Sequence, residues 1–196
     1  MEPPVRTDSE SIRDEKVKVL KAMPPLETKN LVRGQFRGYP KEPGVAAGSK
    51  VETFAALKLE VDSWRWRGVP FYIRAGKNLP VTCTEVTIRL CQPPTMYGGF
   101  NLTTNYFRWR LTPELTIAFG MNFMAPGTES VAESAEIIGS RHPGVQDMDA
   151  YERVLTDAMT GDATLFARQD YVEEAWRIVD PALKAKTSVF EYEPQT

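Results

Sequence analysis

Residues 106–123 read YFRWRLTPELTIAFGMNF, and two alternating patterns meet there across one short break. In the first half Phe107, Trp109 and Leu111 fall on one side of an extended chain, with Arg108 and Arg110 on the other. Successive side chains of a strand point to opposite faces, so this is the signature of a half-covered strand. LTIAFGMNF repeats the alternation after Thr112-Pro113-Glu114, a connection of hairpin length. Such strands suit an antiparallel sheet with one covered face and one freer face. A freer face is a natural seat for a helix layer or a partner subunit.

Upstream, TEVTIRL (84–90) alternates in the same way, and VPFYIRAG (69–76) follows a tight aromatic corner, SWRWRG. In residues 53–61, Thr53, Ala55, Leu57, Leu59 and Val61 share one face, with Lys58 and Glu60 on the other. LVRGQF (31–36) is a short strand that runs into YPKEPGVAAGS, a loop by its prolines and glycines. Ahead of it, IRDEKVKVLKAM (12–23) carries Ile12, Val19, Leu20 and Met23 at helical spacing. Asp8, Ser9 or Ser11 is its N-cap, Pro24-Pro25 stops it, and residues 1–11 form a polar lead-in loop.

Downstream, residues 124–148 read as mostly loop, with one more strand near residues 135–138. Two amphipathic helices close the chain. Ala150, Val154, Leu155, Ala158 and Met159 form one apolar stripe; Val172, Ala175, Trp176, Val179 and Leu183 form the other, beyond Gly161-Asp162. The expected fold is α+β, a mostly antiparallel β-sheet flanked by helices, in a single partial domain covering residues 1–196.

The composition of the 196 residues, 42% hydrophobic and 26% charged, is that of an ordinary globular domain large enough to bury a core. A net charge of -2 argues against nucleic acid or an anionic membrane as partner, since both need clustered, uncompensated Lys and Arg. Apolar runs are strand-sized, well short of the roughly 20 residues that span a bilayer. MEPPVRTDSES lacks the basic and apolar regions of a signal peptide, so the reading is cytoplasmic. Cys83 and Cys91 lie on one strand and its end, about 26 Å apart when extended, which is too far for a disulfide. With one histidine, His142, there is no metal-ligand spacing, so no metal is expected. Asn101-Leu102-Thr103 matches a glycosylation sequon and, without a secretion signal, reads as chance.

Chemistry is harder to find. The chain has no G-x-G-x-x-G and no P-loop. Glu173 and Glu174 occupy adjacent helical positions, so their carboxylates point apart. One element stands out: RAGK (74–77) ends an apolar strand and sets a glycine directly before Lys77. Strand ends reach into clefts, Gly76 would let a ligand approach the backbone, and Lys77 is a point charge suited to a phosphate or an acceptor-rich sugar. The plain alternative is a solvated lysine in a turn. Pattern and composition stop at an α+β domain with a candidate anion site.

Several segments, in order, resemble the glucose-6-phosphate dehydrogenase family. RDEKVKVLKAM (13–23) is similar to its R-D-E-K-V-K-V-L run. LVRGQF and GYPKEPGVAAGSKVETFAALKL (38–59) resemble its R-G-Q-Y, G-Y-x-x-E-x-G-V and T-E-T-F-x-A-L motifs. WRWRGVPFYIRAGKNLP (64–80) is similar to W-x-G-V-P-F-x-x-R-x-G-K, and residues 149–181 to the long D-A-Y-E-R segment that ends in A-W.

The resemblance implies oxidation of glucose 6-phosphate at C1, with hydride passing to NADP or NAD and a lactone as product. It sets Lys77 beside the sugar, and lets Arg74 or Arg110 touch a second, structural nucleotide, as equivalents do in some members. Thr82 stands near where many members carry another basic residue, and Thr112 where many carry a glutamine, so the substrate contacts from this half are sparser or made by hydroxyls. A homo-oligomer through the sheet is implied. The family's Rossmann half and its R-I-D-H-Y-L-G-K segment, with the general-base histidine, are absent, so the chain reads as a fragment inactive by itself. Two other readings stay open: a non-catalytic dimerisation or regulatory module pairing with a full-length paralogue, and a sugar-phosphate sensor using Lys77. Trp64, Trp66, Phe71, Tyr151 and Trp176 are expected as core or interface aromatics, and Asp14, Arg153 and Asp157 as a helix-anchoring ion network.

Overall fold

The computed structural model describes residues 1–92, 103–124, 126, 132–141, 144 and 148–196. His142 and most of the sequon at residues 101–103 lie outside the described residues. The chain divides into two compact units, Met1–Pro80 with Met148–Thr196, and Val81–Asp147.

In the first unit, Asp8 rather than either serine starts helix α1 (Ser9–Lys21). Its carboxylate accepts from the Ser11 N–H and the Ser11 hydroxyl, each at 2.9 Å, satisfying a donor the helix start leaves open. Three strands follow, β1 (Leu31–Phe36), β2 (Phe54–Leu59) and β3 (Phe71–Gly76), joined antiparallel in that order. The register puts Leu31 opposite Leu57, and Leu59 opposite Phe71, on one face. That face carries the core: Leu26, Leu59, Ile178 and Ala182, with Leu20, Met23, Leu31, Leu57, Phe71 and Val179 packed around them. Trp66 joins this side through an edge-on contact with Phe71 at 5.4 Å, whereas Trp64 is fully exposed.

The second unit is a sheet of four antiparallel strands: β4 (Thr84–Arg89), β5 (Tyr106–Thr112), β6 (Leu115–Met124) and β7 (Ala132–Arg141). Cross-strand registers sort its residues cleanly. Val86, Trp109, Ile117 and Gly139 line up across one face, beside Ile88, Phe107, Phe119 and Ile137. Phe107 stacks between Trp109 at 5.8 Å and Phe119 at 4.8 Å. The opposite face carries Glu85, Tyr106, Arg108, Arg110 and Glu136. Pro113 and Glu114 make the hairpin between β5 and β6.

The remaining elements belong to the first unit: helices α2 (Ala150–Thr160) and α3 (Gln169–Lys184), and strand β8 (Val189–Tyr192). Asp149 caps α2 and Gly161, in the left-handed region at φ 74°, ends it. α3 packs along α1, and the Arg177 guanidinium donates to the carbonyls of Leu20 at 3.0 Å and Met23 at 2.8 Å, at and just beyond the end of α1.

The expected α+β class, mostly antiparallel strands with helices, is the one observed; its strands form two four-stranded sheets, ordered β3-β2-β1-β8 and β4-β5-β6-β7. Three expectations change. The strand expected at residues 135–138 extends over Ala132–Arg141, because the ten residues of β6 offer a full ladder to a sequence whose own alternation is weak. β8 was not expected, and it pairs parallel to β1, with Phe36 opposite Tyr192. The ion network also differs. Asp14 pairs with Arg168 at 2.7 Å, and Arg168 also holds Glu10 at 2.7 Å and Asp170 at 2.8 Å. Arg153 and Asp157 keep to each other at 3.9 Å, one turn apart on α2. The anchor is therefore Arg168, beside α1 at the start of α3, and its carboxylate bonds, Asp170 first, raise its pKa.

Candidate functional site

Lys77 directly follows β3 and its backbone is fixed from both sides. Its N–H donates to the Thr53 carbonyl at 2.8 Å, and its carbonyl accepts the Tyr192 hydroxyl at 2.7 Å. Tyr192 is held in turn by edge-on rings from Phe36 at 6.4 Å and Phe54 at 5.8 Å. Asn78 then turns the chain away in the left-handed region at φ 50°, its carbonyl taken by the Gln195 N–H at 2.6 Å. The strand at the C-terminus thus buttresses the strand end that carries the lysine. Tyr192 has no motif to mark it, so sequence reasoning missed it; four residues of alternation are too short a signal.

The lysine side chain is exposed, and its ammonium makes no ion pair among the described residues. An unmatched cation on a fixed backbone is a suitable first contact for a phosphate or sugar oxygen. Packing gives Gly76 a further reason beside the expected one. A Cβ there would meet Cδ2 of Phe54 at 2.8 Å and Leu79 at 3.2 Å, so packing inside the unit excludes a side chain. Arg74 lies on the same strand, exposed, opposite Ala56.

The other expected residues belong to the second unit. Thr82 is exposed in the lead-in to β4. The Thr112 hydroxyl accepts the Thr84 N–H at 3.1 Å, joining the ends of β4 and β5. Arg110 pairs with Glu85 at 3.0 Å, and Arg108 bridges Glu85 at 3.3 Å and Glu136 at 2.5 Å. Tyr106 donates its hydroxyl to Glu136 at 2.7 Å. Arg108 above all, and then Tyr106, hold the Glu136 carboxyl below the ordinary range, while the same contact raises the Tyr106 phenol. Two arginines face two glutamates, so the Arg110 charge is matched by Glu85. Among the expected residues, the structure brings Arg74 and Lys77 together on one strand and its end, and Arg110 and Thr112 on another.

A separate cleft of about 100 Å³ is lined by Arg13, Lys16, Leu165, Phe166, Ala167, Arg168 and Tyr171. Two of its cations are matched, Arg13 by Glu10 and Arg168 by Glu10, Asp14 and Asp170, and Arg13 also donates to the Ala163 carbonyl, so it reads as the seam that joins α1 to α3. Among the described residues no group of three His, Cys, Asp or Glu side chains is placed to hold a metal, and no helix is long and apolar enough to cross a membrane. Cys83 and Cys91 are free thiols.

The family model described as "Glucose-6-phosphate dehydrogenase, C-terminal domain" matches residues 1–196. The chain belongs to this family. A glucose-6-phosphate 1-dehydrogenase of Aggregatibacter actinomycetemcomitans is 40% identical across 100% of this chain and 44% of its own length. A crystal structure of glucose-6-phosphate 1-dehydrogenase from Mycobacterium avium superposes with a TM-score of 0.87 at 37% identity, covering 100% of this chain and 42% of the other. A glucose-6-phosphate dehydrogenase in complex with its substrate glucose 6-phosphate gives a TM-score of 0.83 at 29% identity. A relative from Solanum tuberosum, 37% identical over 93% of this chain, is named a cytoplasmic isoform. The chain therefore spans under half the length of the glucose-6-phosphate dehydrogenases it matches, and it corresponds to their C-terminal domain.

Proposed function

We propose that this chain supplies the C-terminal, substrate-side part of a cytoplasmic glucose-6-phosphate dehydrogenase. The reaction would remove a hydride from C1 of glucose 6-phosphate and a proton from its C1 hydroxyl, giving 6-phosphogluconolactone, with NADP taking the hydride when bound. The match of the family's C-terminal domain to residues 1–196 carries this reading. Lys77 supports it chemically, as an unpaired ammonium on a backbone clamped by Thr53 and Tyr192. The residues here do not make a dinucleotide site: the chain has no glycine-rich turn, and Arg110 is matched by Glu85. No step is assigned through NADP, and Arg74 is the better placed of the two arginines for a nucleotide phosphate because no ion pair holds it among the described residues.

The test is to fuse the region that precedes the matched segment in the Aggregatibacter relative to Met1, and to follow NADPH formation. Turnover is expected from the fusion and none from the chain alone. Lys77→Ala in the fusion should raise KM for glucose 6-phosphate about 10- to 100-fold, the loss of one charge-assisted contact. An unchanged KM removes Lys77 from the site. The open apolar face of the second sheet favours a further element of the reading, self-association through that sheet, which alone would serve a non-catalytic dimerisation module.

A further inference from the structure

α3 carries two apolar stripes. Tyr171, Ala175, Ile178 and Ala182 recur at helical spacing, and Ile178 and Ala182 are buried in the core. Val172, Trp176, Val179 and Leu183 recur one residue further on; of these only Val179 packs against the core, and Trp176 stays 54% exposed. α2 is more open still. It makes no more than marginal contact with any other element among the described residues, whereas α1 and α3 form a seam. On one side of it Tyr151, Leu155 and Met159, each a turn apart, are 82%, 64% and 83% exposed. An eleven-residue helix is marginal in water unless an apolar face is buried, so α2 lacks the contact that would hold it.

We infer that the Tyr151–Leu155–Met159 stripe of α2 is the seat of the N-terminal portion of the family's chain. This rests on the reading of the chain as a C-terminal part. More than half of the relatives' length lies outside it, and the matched domain is the C-terminal one. The point of attachment agrees. A segment joined ahead of Met1 would lead into α1, and α1 is tied to the α2–α3 connection by Arg13, which donates to the Ala163 carbonyl, and by the Glu10 and Asp14 pairs with Arg168. Such a segment arrives beside the helices that lack cover.

The fusion described above, compared with the chain alone, tests this by amide exchange and by peroxide oxidation of Met159, which reports access to the thioether. The expected result is α2 exchange and Met159 oxidation at least about ten-fold slower in the fusion. Tyr151→Gln/Leu155→Gln/Met159→Gln, which keeps helix propensity, should leave the melting temperature of the chain alone within about 2 °C and abolish the α2 protection in the fusion. A fusion whose α2 exchanges as fast as in the chain alone overturns the proposal. So does protection in the chain alone that rises with its concentration, because a second copy would then be the occupant. Turnover with α2 open sinks this inference and leaves the proposed function standing; a protected but inert fusion does the reverse.

Discussion

Tyr106 lies across Gly120 on the polar face of the second unit, and a Cβ on Gly120 would lie only 2.2–2.7 Å from three Tyr106 ring atoms. The ring cannot move aside without breaking the phenol bond to Glu136. Gly120→Ala is therefore expected to cost about 1–3 kcal/mol, the usual penalty for forcing atoms into packed space. In a Tyr106→Ala background the same change should cost much less, and thermal melts of the four proteins read the coupling directly. Equal losses in both backgrounds would mean the ring is not the obstacle. Glycines show how much of a site local sequence reveals. RAGK marks position 76 as special, but its packing against Phe54 from a neighbouring strand is a cross-strand contact that no local pattern contains. Lys77 was legible as a cation at a strand end; the Tyr192 hydroxyl that fixes its carbonyl comes from the far end of the chain and was not.

At the level of elements, the polar face of the second sheet is clipped by side chains that cross strands. Glu85 on β4 takes Arg108 and Arg110 from β5, and Glu136 on β7 takes Arg108 and Tyr106. The folded pKa of Glu136 is depressed, chiefly by Arg108, so folding favours its ionised form. Its contribution is complete above the ordinary carboxyl pKa of about 4.3 and is lost as pH falls through that value toward the depressed one. Glu136→Gln should lower the melting temperature at neutral pH by about 2–4 °C, and the gap to the parent should close below about pH 4. A gap constant across that window would show that the carboxylate charge contributes nothing. Strands with strong alternation, β5 and β6, were legible in the sequence within a residue or two. β7 was shortened because AESAEIIGSR mixes glutamates and small residues on both faces, and it takes its length from its partner. The helical stripes were legible as apolar, but amphipathic spacing does not say which neighbour covers a stripe, and α3 carries two.

Across the whole molecule the buried apolar set among the described residues is small: Val17, Leu26, Phe36, Leu59, Val61, Ile178 and Ala182 in the first unit and Ala118 in the second, with no large side chain fully enclosed. Meanwhile the apolar face of β4–β7 keeps Ile117 at 50% and Ile137 at 64% exposure. Scattered exposed apolar residues are ordinary, but a contiguous sheet face of them marks an interaction surface. A sheet that presents its apolar side twice, related by a two-fold axis, can cover itself, and such isologous pairing is the commonest form of association. The stability of the chain should then depend on its own concentration, since whatever binds only the folded state raises its melting temperature by mass action. The parent chain is expected to run as a dimer by light scattering and to melt higher as concentration rises. Ile117→Glu, placed at a half-exposed position where a monomer loses little, should run as a monomer with a concentration-independent melt. A parent that stays monomeric at every concentration would remove the second sheet as a self-association surface and leave its apolar face to a different partner.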